Sequence, residues 1–131
     1  MTEEKTLPKG AIWASYILQA LIVVAFTFGA FNNMLKVKSA TDMAVEMGYS
    51  EDSVVFLGII LLVAVIFYAI PKTCILGAIL LTGWLGGAVA THIIHSDPVG
   101  QTLFPMIFGI IIWLILWLRM PKLRALIPII K

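Results

Sequence analysis

Four long apolar stretches, joined by shorter polar segments, dominate the sequence. They cover residues 11–31, 54–70, 74–94 and 103–118, and none contains Asp, Glu, Lys or Arg. A helix needs about 20 apolar residues to cross the ~30 Å hydrocarbon core of a bilayer. The second and fourth stretches are shorter, so we expect them to extend into their polar flanks. Because lipid cannot satisfy unpaired backbone groups, and the stretches lack the alternation of barrel strands, the pattern predicts four transmembrane helices.

The segment 32–53, between the first two stretches, carries a helical pattern of its own. Ser39 followed by Asp42 is typical of a helix start, and Gly48 is typical of a helix end. The residues that share the apolar face of this helix are Met43, Ala44 and Met47. The predicted fold is therefore all-α: an integral membrane four-helix bundle with a short amphipathic helix between helices 1 and 2. That short helix either caps the bundle or rests on the membrane surface.

Composition supports the membrane assignment. The chain of 131 residues is 61% hydrophobic and 12% charged, whereas soluble domains average about 45–50% and 25%. So small a soluble domain could not bury this much apolar surface, and the length predicts a single domain over residues 1–131. The net charge of +2 does not indicate nucleic-acid binding, because the basic residues lie at helix ends and form no continuous patch.

Orientation follows from the Lys and Arg residues on each side of the predicted membrane. One side holds seven of them: Lys5, Lys9, Lys72, Arg119, Lys122, Arg124 and Lys131. The other side holds two, Lys36 and Lys38. The positive-inside rule then predicts cytoplasmic N- and C-termini in a bacterial-type plasma (inner) membrane. Four aromatic residues near the cytoplasmic helix ends predict an interfacial belt: Trp13, Tyr16, Tyr68 and Trp117.

A candidate polar site lies at the opposite, outer end of the predicted bundle. Asn32 and Asn33 end the first helix, and His92, His95 and Asp97 lie at or just beyond the end of the third. Because successive helices run antiparallel, we expect all five at one depth. Histidine suits proton exchange and metal ligation, but this spacing matches no zinc signature, so no metal is expected. The alternatives that remain open are a polar pocket around His92 and ordinary interfacial solvation.

Small residues on the third helix mark a predicted helix-packing surface, since helices in lipid associate through close backbone approach. These residues are Gly83, Gly86, Gly87 and Ala90. They are expected to pack within the chain, with homodimerisation as the alternative. Gln19 and Trp84 lie inside predicted spans and are expected to form hydrogen bonds to neighbouring helices. Ser50 and Thr73 are predicted to cap the second and third long helices.

The sequence contains few residues in patterns that are typical of catalysis or cofactor binding. The predicted spans hold no carboxylate for a proton relay, and the sequence holds no nucleotide-binding glycine motif and no evident nucleophile–base pair. Cys74, the single cysteine, allows no intrachain disulfide and no redox pair. We therefore identify no catalytic residue and no evident cofactor.

The sequence resembles the DoxX-like family from about residue 26 to residue 128. The resemblance is strongest in the stretch IPKTCILGAILLTGWLGGAVATH at 70–92, and extends to LFP at 103–105, Trp113 and the tail at 118–126. The family implies a four-helix membrane bundle, and His92 and Lys36 are the matching residues that the resemblance singles out. In this chain Asn32 stands where many relatives have an acidic or small residue, and Leu61 where many have a Glu. The Leu argues against a proton-coupled role.

Two functional hypotheses follow from these observations. The first is an accessory subunit, assembly factor or binder of an apolar small molecule, whose partners are the lipid bilayer and a homodimer or larger membrane complex. The second is a membrane redox component that interacts with quinone, as some members of the wider superfamily do. A transporter is less well supported, because the sequence shows no discontinuous helix and no buried charge.

Overall fold

The computed structural model describes residues 7–130, so Lys5 and Lys131 lie outside it. The described residues form six helices: α1 (Lys9–Met34), α2 (Lys38–Glu46), α3 (Glu51–Ala69), α4 (Cys74–Ile94), α5 (Val99–Arg119) and α6 (Pro121–Leu126). Helices α1, α3, α4 and α5 are long and apolar enough to cross a membrane. The predicted all-α bundle is confirmed. The second and fourth spans do extend into polar flanks, to Glu51 and Val99.

The four long helices form a closed ring. Helix α1 packs against α3, α3 against α4, α4 against α5, and α5 against α1. Long helices that follow each other in the sequence are antiparallel neighbours. The connections are residues 70–73, residues 95–98, and the longer segment 35–50 that contains α2. One end of the bundle carries α2 and the α4–α5 turn and is called the α2 end. The other end carries the α3–α4 hairpin and α6 and is called the α6 end.

Close packing occurs at two glycines that the sequence pattern did not single out. A Cβ atom added to Gly58 on α3 would lie 2.6 Å from the carbonyl oxygen of Ala30 on α1. A Cβ atom added to Gly77 on α4 would lie 2.1 Å from the backbone nitrogen of Tyr68 on α3. Only a glycine fits where two helix backbones approach this closely, so these two positions set the α1–α3 and α3–α4 spacings.

The predicted short helix is confirmed as α2, and it caps the bundle. Its apolar residues Met43 and Ala44, and Met47 directly after it, face a cavity that α1, α3 and α4 also line. Residues with positive φ stand on both sides of α2, Lys36 at 51° and Gly48 at 100°. Gly48 ends the helix as predicted, whereas the helix begins at Lys38 and has no side-chain cap.

Of the two predicted side-chain caps of the long helices, one is present and one is not. Ser50 accepts a hydrogen bond from the Ser53 backbone N–H at 3.3 Å and caps α3 as expected. Thr73 precedes α4 but does not cap it with its side chain. Its hydroxyl instead donates to the Phe67 carbonyl at 2.8 Å, because the tight hairpin folds it back onto α3.

Charge is distributed very unevenly between the two ends of the described chain. The α6 end carries the cations Lys9, Lys72, Arg119, Lys122 and Arg124. All acidic residues within 7–130 lie at the α2 end: Asp42, Glu46, Glu51, Asp52 and Asp97. Lys36 and Lys38 lie at that end too, and the Lys36 ammonium pairs with Asp52 at 3.3 Å. The bundle therefore has one basic end and one mixed, mainly acidic end.

Candidate functional site

A cavity of about 710 Å³ lies beneath α2, between α1, α3 and α4. We call it the α2 cavity. Its walls are mostly apolar, and Leu57, Leu61 and Trp84 belong to them. The indole N–H of Trp84 donates to the Leu57 carbonyl at 3.2 Å, as expected for an interhelical hydrogen bond. Because the indole N–H of Trp84 already has a partner within the protein, Trp84 contributes mainly its apolar ring to the cavity wall.

Three of the five predicted site residues line the α2 cavity: Asn32 and Asn33 from α1 and His92 from α4. Tyr49 and Thr91 join them, and their hydroxyls form a hydrogen bond with each other. The polar groups gather near the ends of the helices, and the apolar walls extend toward the middle of the bundle. The cavity is therefore amphipathic, with one polar end and one apolar end.

Asp97 holds both histidines of the α4–α5 turn. One carboxylate oxygen contacts Nδ1 of His92 and the other contacts Nδ1 of His95, each at 2.6 Å. The hydrogen bond to Asp97 raises the pKa of His95, and the hydrogen bonds from His95 and then His92 lower the pKa of Asp97. Because an ionised carboxylate only accepts hydrogen bonds, Nδ1 of each ring carries the hydrogen. This arrangement fixes the orientation of both imidazoles.

The other two predicted site residues, His95 and Asp97, line a neighbouring cavity of about 500 Å³. His92, the α2 residue Met43 and Met47, which directly follows α2, line both cavities. The side chain of His92 therefore stands between them. The structure thus brings all five predicted residues to the α2 end, but divides them between two adjoining spaces.

The expected helix packing through Gly83, Gly86, Gly87 and Ala90 is not found among residues 7–130. A Cβ atom at any of these three glycines would meet nothing within 4 Å. Gly83 and Gly87 line the α2 cavity, and Gly86 lines an open groove between α4 and α5. The missing side chains create space beside α4 and do not bring another helix close.

A second polar cluster lies at the α6 end, where Gln19 links three helices. Its Nε2 donates to the Tyr68 carbonyl at 3.0 Å, and its Oε1 accepts a hydrogen bond from Arg119. The Arg119 guanidinium also lies 4.3 Å from the centre of the Tyr16 ring. Sequence reasoning predicted the interhelical bond of Gln19 but missed Arg119, because a separation of 100 residues leaves no local signal.

Tyr68 corrects the predicted aromatic belt. Its side chain is buried in the bundle, and its hydroxyl donates to the Ile112 carbonyl at 2.9 Å. Trp13 and Tyr16 are exposed, as interfacial residues are. Tyr68 therefore joins α3 to α5 and does not anchor the protein in the interface.

Within residues 7–130, no group of three or more His, Cys, Asp or Glu side chains is arranged to hold a metal ion. The Cys74 thiol is free and buried. What the described site offers is hydrogen bonding from amide, hydroxyl and imidazole groups beside an apolar chamber. Such a combination is typical of a small-molecule binding site.

The comparisons with known proteins agree with this architecture. The family model of the DoxX-like family matches residues 17–115, which include all four long helices in whole or in part. The match begins before residue 26 and stops short of the tail, so residues 118–126 lie outside it. No curated protein and no solved structure matches the chain. The chain belongs to the DoxX-like family and is a multi-pass membrane protein.

Proposed function

We propose that this protein is a non-enzymatic membrane component that binds a small molecule with an apolar body and a polar head in the α2 cavity. The observation that carries the proposal is the cavity itself, about 710 Å³ in volume, within the ~300–1,000 Å³ common for ligand sites. Its apolar walls match a hydrophobic body, and its polar end matches a hydrogen-bonding head.

His92 is the residue that we assign to the polar head. Its Nδ1 is engaged by Asp97, so Nε2 is the ring nitrogen that remains for a ligand. With the hydrogen on Nδ1, neutral Nε2 is an acceptor. The proposed head group therefore carries a hydroxyl or another donor, and the amide groups of Asn32 and Asn33 provide further hydrogen bonds from the opposite helix.

Photolabelling tests this proposal directly. The probe is 4-octylphenol with a diazirine on its chain, and unlabelled 4-octylphenol is the competitor. In detergent-solubilised wild-type protein we expect saturable labelling. His92→Ala removes one hydrogen bond worth about 1 kcal/mol, so it should weaken binding about fivefold. Gly87→Leu should abolish saturable labelling, because the new side chain extends into the cavity.

Gly86→Leu is the matched control for that substitution. It places the same side chain one residue away on α4, but in the α4–α5 groove and not in the α2 cavity. It should leave the probe affinity unchanged. Unaltered affinity in both His92→Ala and Gly87→Leu would overturn the proposed site.

A quinone is the second candidate ligand. Polar groups lie on opposite walls of the cavity, Asn32 and Asn33 on α1 and His92 on α4. The Asn amides can donate to a quinone carbonyl, and Nε2 of His92 can accept a hydrogen bond from a hydroxyl of the reduced quinol. A redox role also needs an electron donor, which a partner protein would supply. A short-chain benzoquinone that competes with the phenol label would show that a quinone binds in the cavity. A change in the absorbance of that benzoquinone when an electron donor is supplied would show redox chemistry, and no change would show binding alone.

We further propose that the α6 end faces the cytoplasm in a bacterial-type inner membrane, with the protein in a homodimer or larger complex. The five described cations at the α6 end, against two at the other, support this orientation. A reporter active only in the cytoplasm, fused after residue 131, should be active. Activity only of a reporter that works in the periplasm, fused at the same position, would show the opposite orientation.

The proposed homodimer or larger complex is tested by the mass of the protein in mild detergent. A monomeric mass would argue against that assembly.

A further inference from the structure

Helices α3 and α4 touch at the α6 end and separate toward the α2 end. At the α6 end, a Cβ atom added to Gly77 on α4 would lie 2.1 Å from the backbone nitrogen of Tyr68 on α3. Farther along α4, a Cβ atom added to Gly83 or Gly87 would meet nothing within 4 Å. Both of these glycines line the α2 cavity together with Leu57 of α3. The two helices therefore form a cleft that widens toward the α2 end.

The cleft is open on the side of the bundle that faces lipid. Ile60 on α3 lines the α2 cavity and is also 53% exposed. It belongs to an exposed apolar stripe with Phe56 and Val63, which are 66% and 44% exposed. Residues three and four apart share one face of a helix, and an exposed apolar face of a membrane-spanning helix contacts lipid. Gly83 and Gly87 are exposed as well, so the cavity opens sideways between them and Ile60. We call this opening the α3–α4 portal.

The α2 cavity spans about the depth of one leaflet. His92 lines its polar end and Gly83 lines it nearer the middle of the bundle, and helical steps of about 1.5 Å separate these residues by roughly 14 Å. One leaflet contributes about half of the ~30 Å hydrocarbon core. A lipid in the leaflet at the α2 end therefore already has the orientation that the cavity requires, with its head at the interface and its chain toward the midplane.

The polar end of the cavity favours an uncharged head group. Its hydrogen-bonding side chains are Asn32, Asn33, Ser39, Tyr49, Thr91 and His92. No Asp, Glu, Lys or Arg is among the described residues that line the cavity, and a buried charge without a partner is costly. The carboxylates of Glu46 and Asp97 line the neighbouring cavity and would repel an anionic head. A hydroxyl group suits the site, because it can donate to Nε2 of His92 and accept from an Asn amide.

We propose that the α2 cavity takes up, through the α3–α4 portal, a neutral lipid with one acyl chain and a hydroxyl-bearing head, of the monoacylglycerol class. This inference rests on the proposed function of the cavity and adds the class of ligand and its route of entry. The cavity volume of about 710 Å³ lies in the range of sites that hold one small molecule, which suits one chain better than two. Sideways entry from the leaflet also spares the apolar chain from crossing water.

Native mass spectrometry of the detergent-solubilised full chain tests the class of ligand, with 1-oleoylglycerol and oleate as probes. The two probes carry the same chain, and at alkaline pH only oleate is charged. We expect the affinity for 1-oleoylglycerol to exceed that for oleate about tenfold, because the cavity offers a charged head no partner. Equal affinities, or a preference for oleate, would overturn the assignment of a neutral lipid.

The route of entry is tested by the exchange of bound deuterated 1-oleoylglycerol for the unlabelled lipid, with the protein in lipid nanodiscs. Ile60→Trp places a larger side chain at the portal and should slow the exchange about tenfold, whereas Ile60→Ala widens the portal and should speed it. Val63→Trp is the matched control, because Val63 lies on the same exposed stripe but does not line the cavity. Equal exchange rates in the wild type and both Ile60 variants would overturn the portal.

This inference and the proposed function fail in different ways. Saturable labelling by the diazirine derivative of 4-octylphenol, without retention of 1-oleoylglycerol, would overturn the lipid assignment and leave the α2 cavity as a binding site. Absence of saturable labelling together with absence of lipid retention would overturn both.

Discussion

The Asp97 carboxylate lies 2.6 Å from Nδ1 of His92 and thereby determines which imidazole nitrogen is left for a ligand. His92 lines both cavities at the α2 end. The second carboxylate oxygen of Asp97 holds His95 in the same way. One acidic residue thus orients two histidines, and several properties of the site depend on it.

Asp97→Asn should lower the pKa of His95 toward its ordinary value of 6.5. In the wild-type protein the hydrogen bond and the charge of Asp97 stabilise the protonated ring. Since the folded-state pKa is raised, this stabilisation is present below pH 6.5 and is lost as the pH rises through the folded-state value. NMR titration of the His95 ring in micelles measures the shift.

The Asp97–His95 contact also loses its stabilising effect at low pH. The pKa of Asp97 is lowered below 3.8 by the hydrogen bonds from the two histidines. Its contribution to stability is present above pH 3.8 and is lost as the pH falls through the folded-state pKa. Glu46→Gln is the control, because Glu46 raises the pKa of His95 only through the last and smallest of the causes. A His95 titration that Asp97→Asn leaves unchanged would show that the contact is absent in solution.

Gly77→Ala should destabilise the bundle strongly. The added methyl group would overlap backbone atoms of Tyr68 at 2.1–2.4 Å, and a backbone can yield only by separating α4 from α3. Overpacking of this kind costs about 1–3 kcal/mol. Thermal unfolding in detergent measures the loss, with Gly83→Ala as the control, because its methyl group meets nothing within 4 Å. Equal effects of the two substitutions would contradict the close approach of α3 and α4 at Gly77.

Gln19→Ala should lower the free energy of unfolding by about 1–3 kcal/mol, because Arg119 loses the acceptor that Gln19 provides. The Nε atom of Arg119 is already buried without a partner among the described residues, so the guanidinium has few alternatives. Gln101→Ala, an exposed substitution at the α2 end, is the comparison in the same unfolding assay. The Arg119 pairing would be refuted if both variants were as stable as the wild type.

Tyr68→Phe should cost about 1 kcal/mol of unfolding free energy, since it removes the buried hydrogen bond to the Ile112 carbonyl. Tyr16→Phe is the matched control, because Tyr16 is 53% exposed and its ring still faces Arg119 after the change. Chemical denaturation of the two variants side by side gives the comparison. A Tyr68→Phe variant no less stable than Tyr16→Phe would place the Tyr68 hydroxyl in contact with water or lipid headgroups.

The elements that the sequence predicted correctly are those that the bilayer imposes. Four uncharged stretches of sufficient length have no other stable structure in lipid. The spacing of Met43, Ala44 and Met47 indicates the apolar face of α2 and of the residue that follows it. His92 and Asn32 line the same cavity, as the antiparallel order of successive helices predicts, because it puts the end of α1 and the end of α4 at the same depth.

The tertiary contacts were less predictable. The spacing of Gly83 and Gly87 is the same for a packed stripe and for a cavity wall, and the sequence does not say which helix faces them. Gly58 and Gly77 stand alone in apolar runs, so no pattern marks their contacts. Arg119 reaches Gln19 across nearly the whole chain, and only the closed ring of helices brings the two together.

Mapping the photolabel decides whether the α2 cavity is the binding site. After irradiation with the diazirine derivative of 4-octylphenol, the modified residues are identified by mass spectrometry of peptides. We expect competable labels on the residues that line the cavity, such as Met43, Met47 and Leu57. Competable labels confined to the α4–α5 groove, on Ile110 or Trp113, would contradict it.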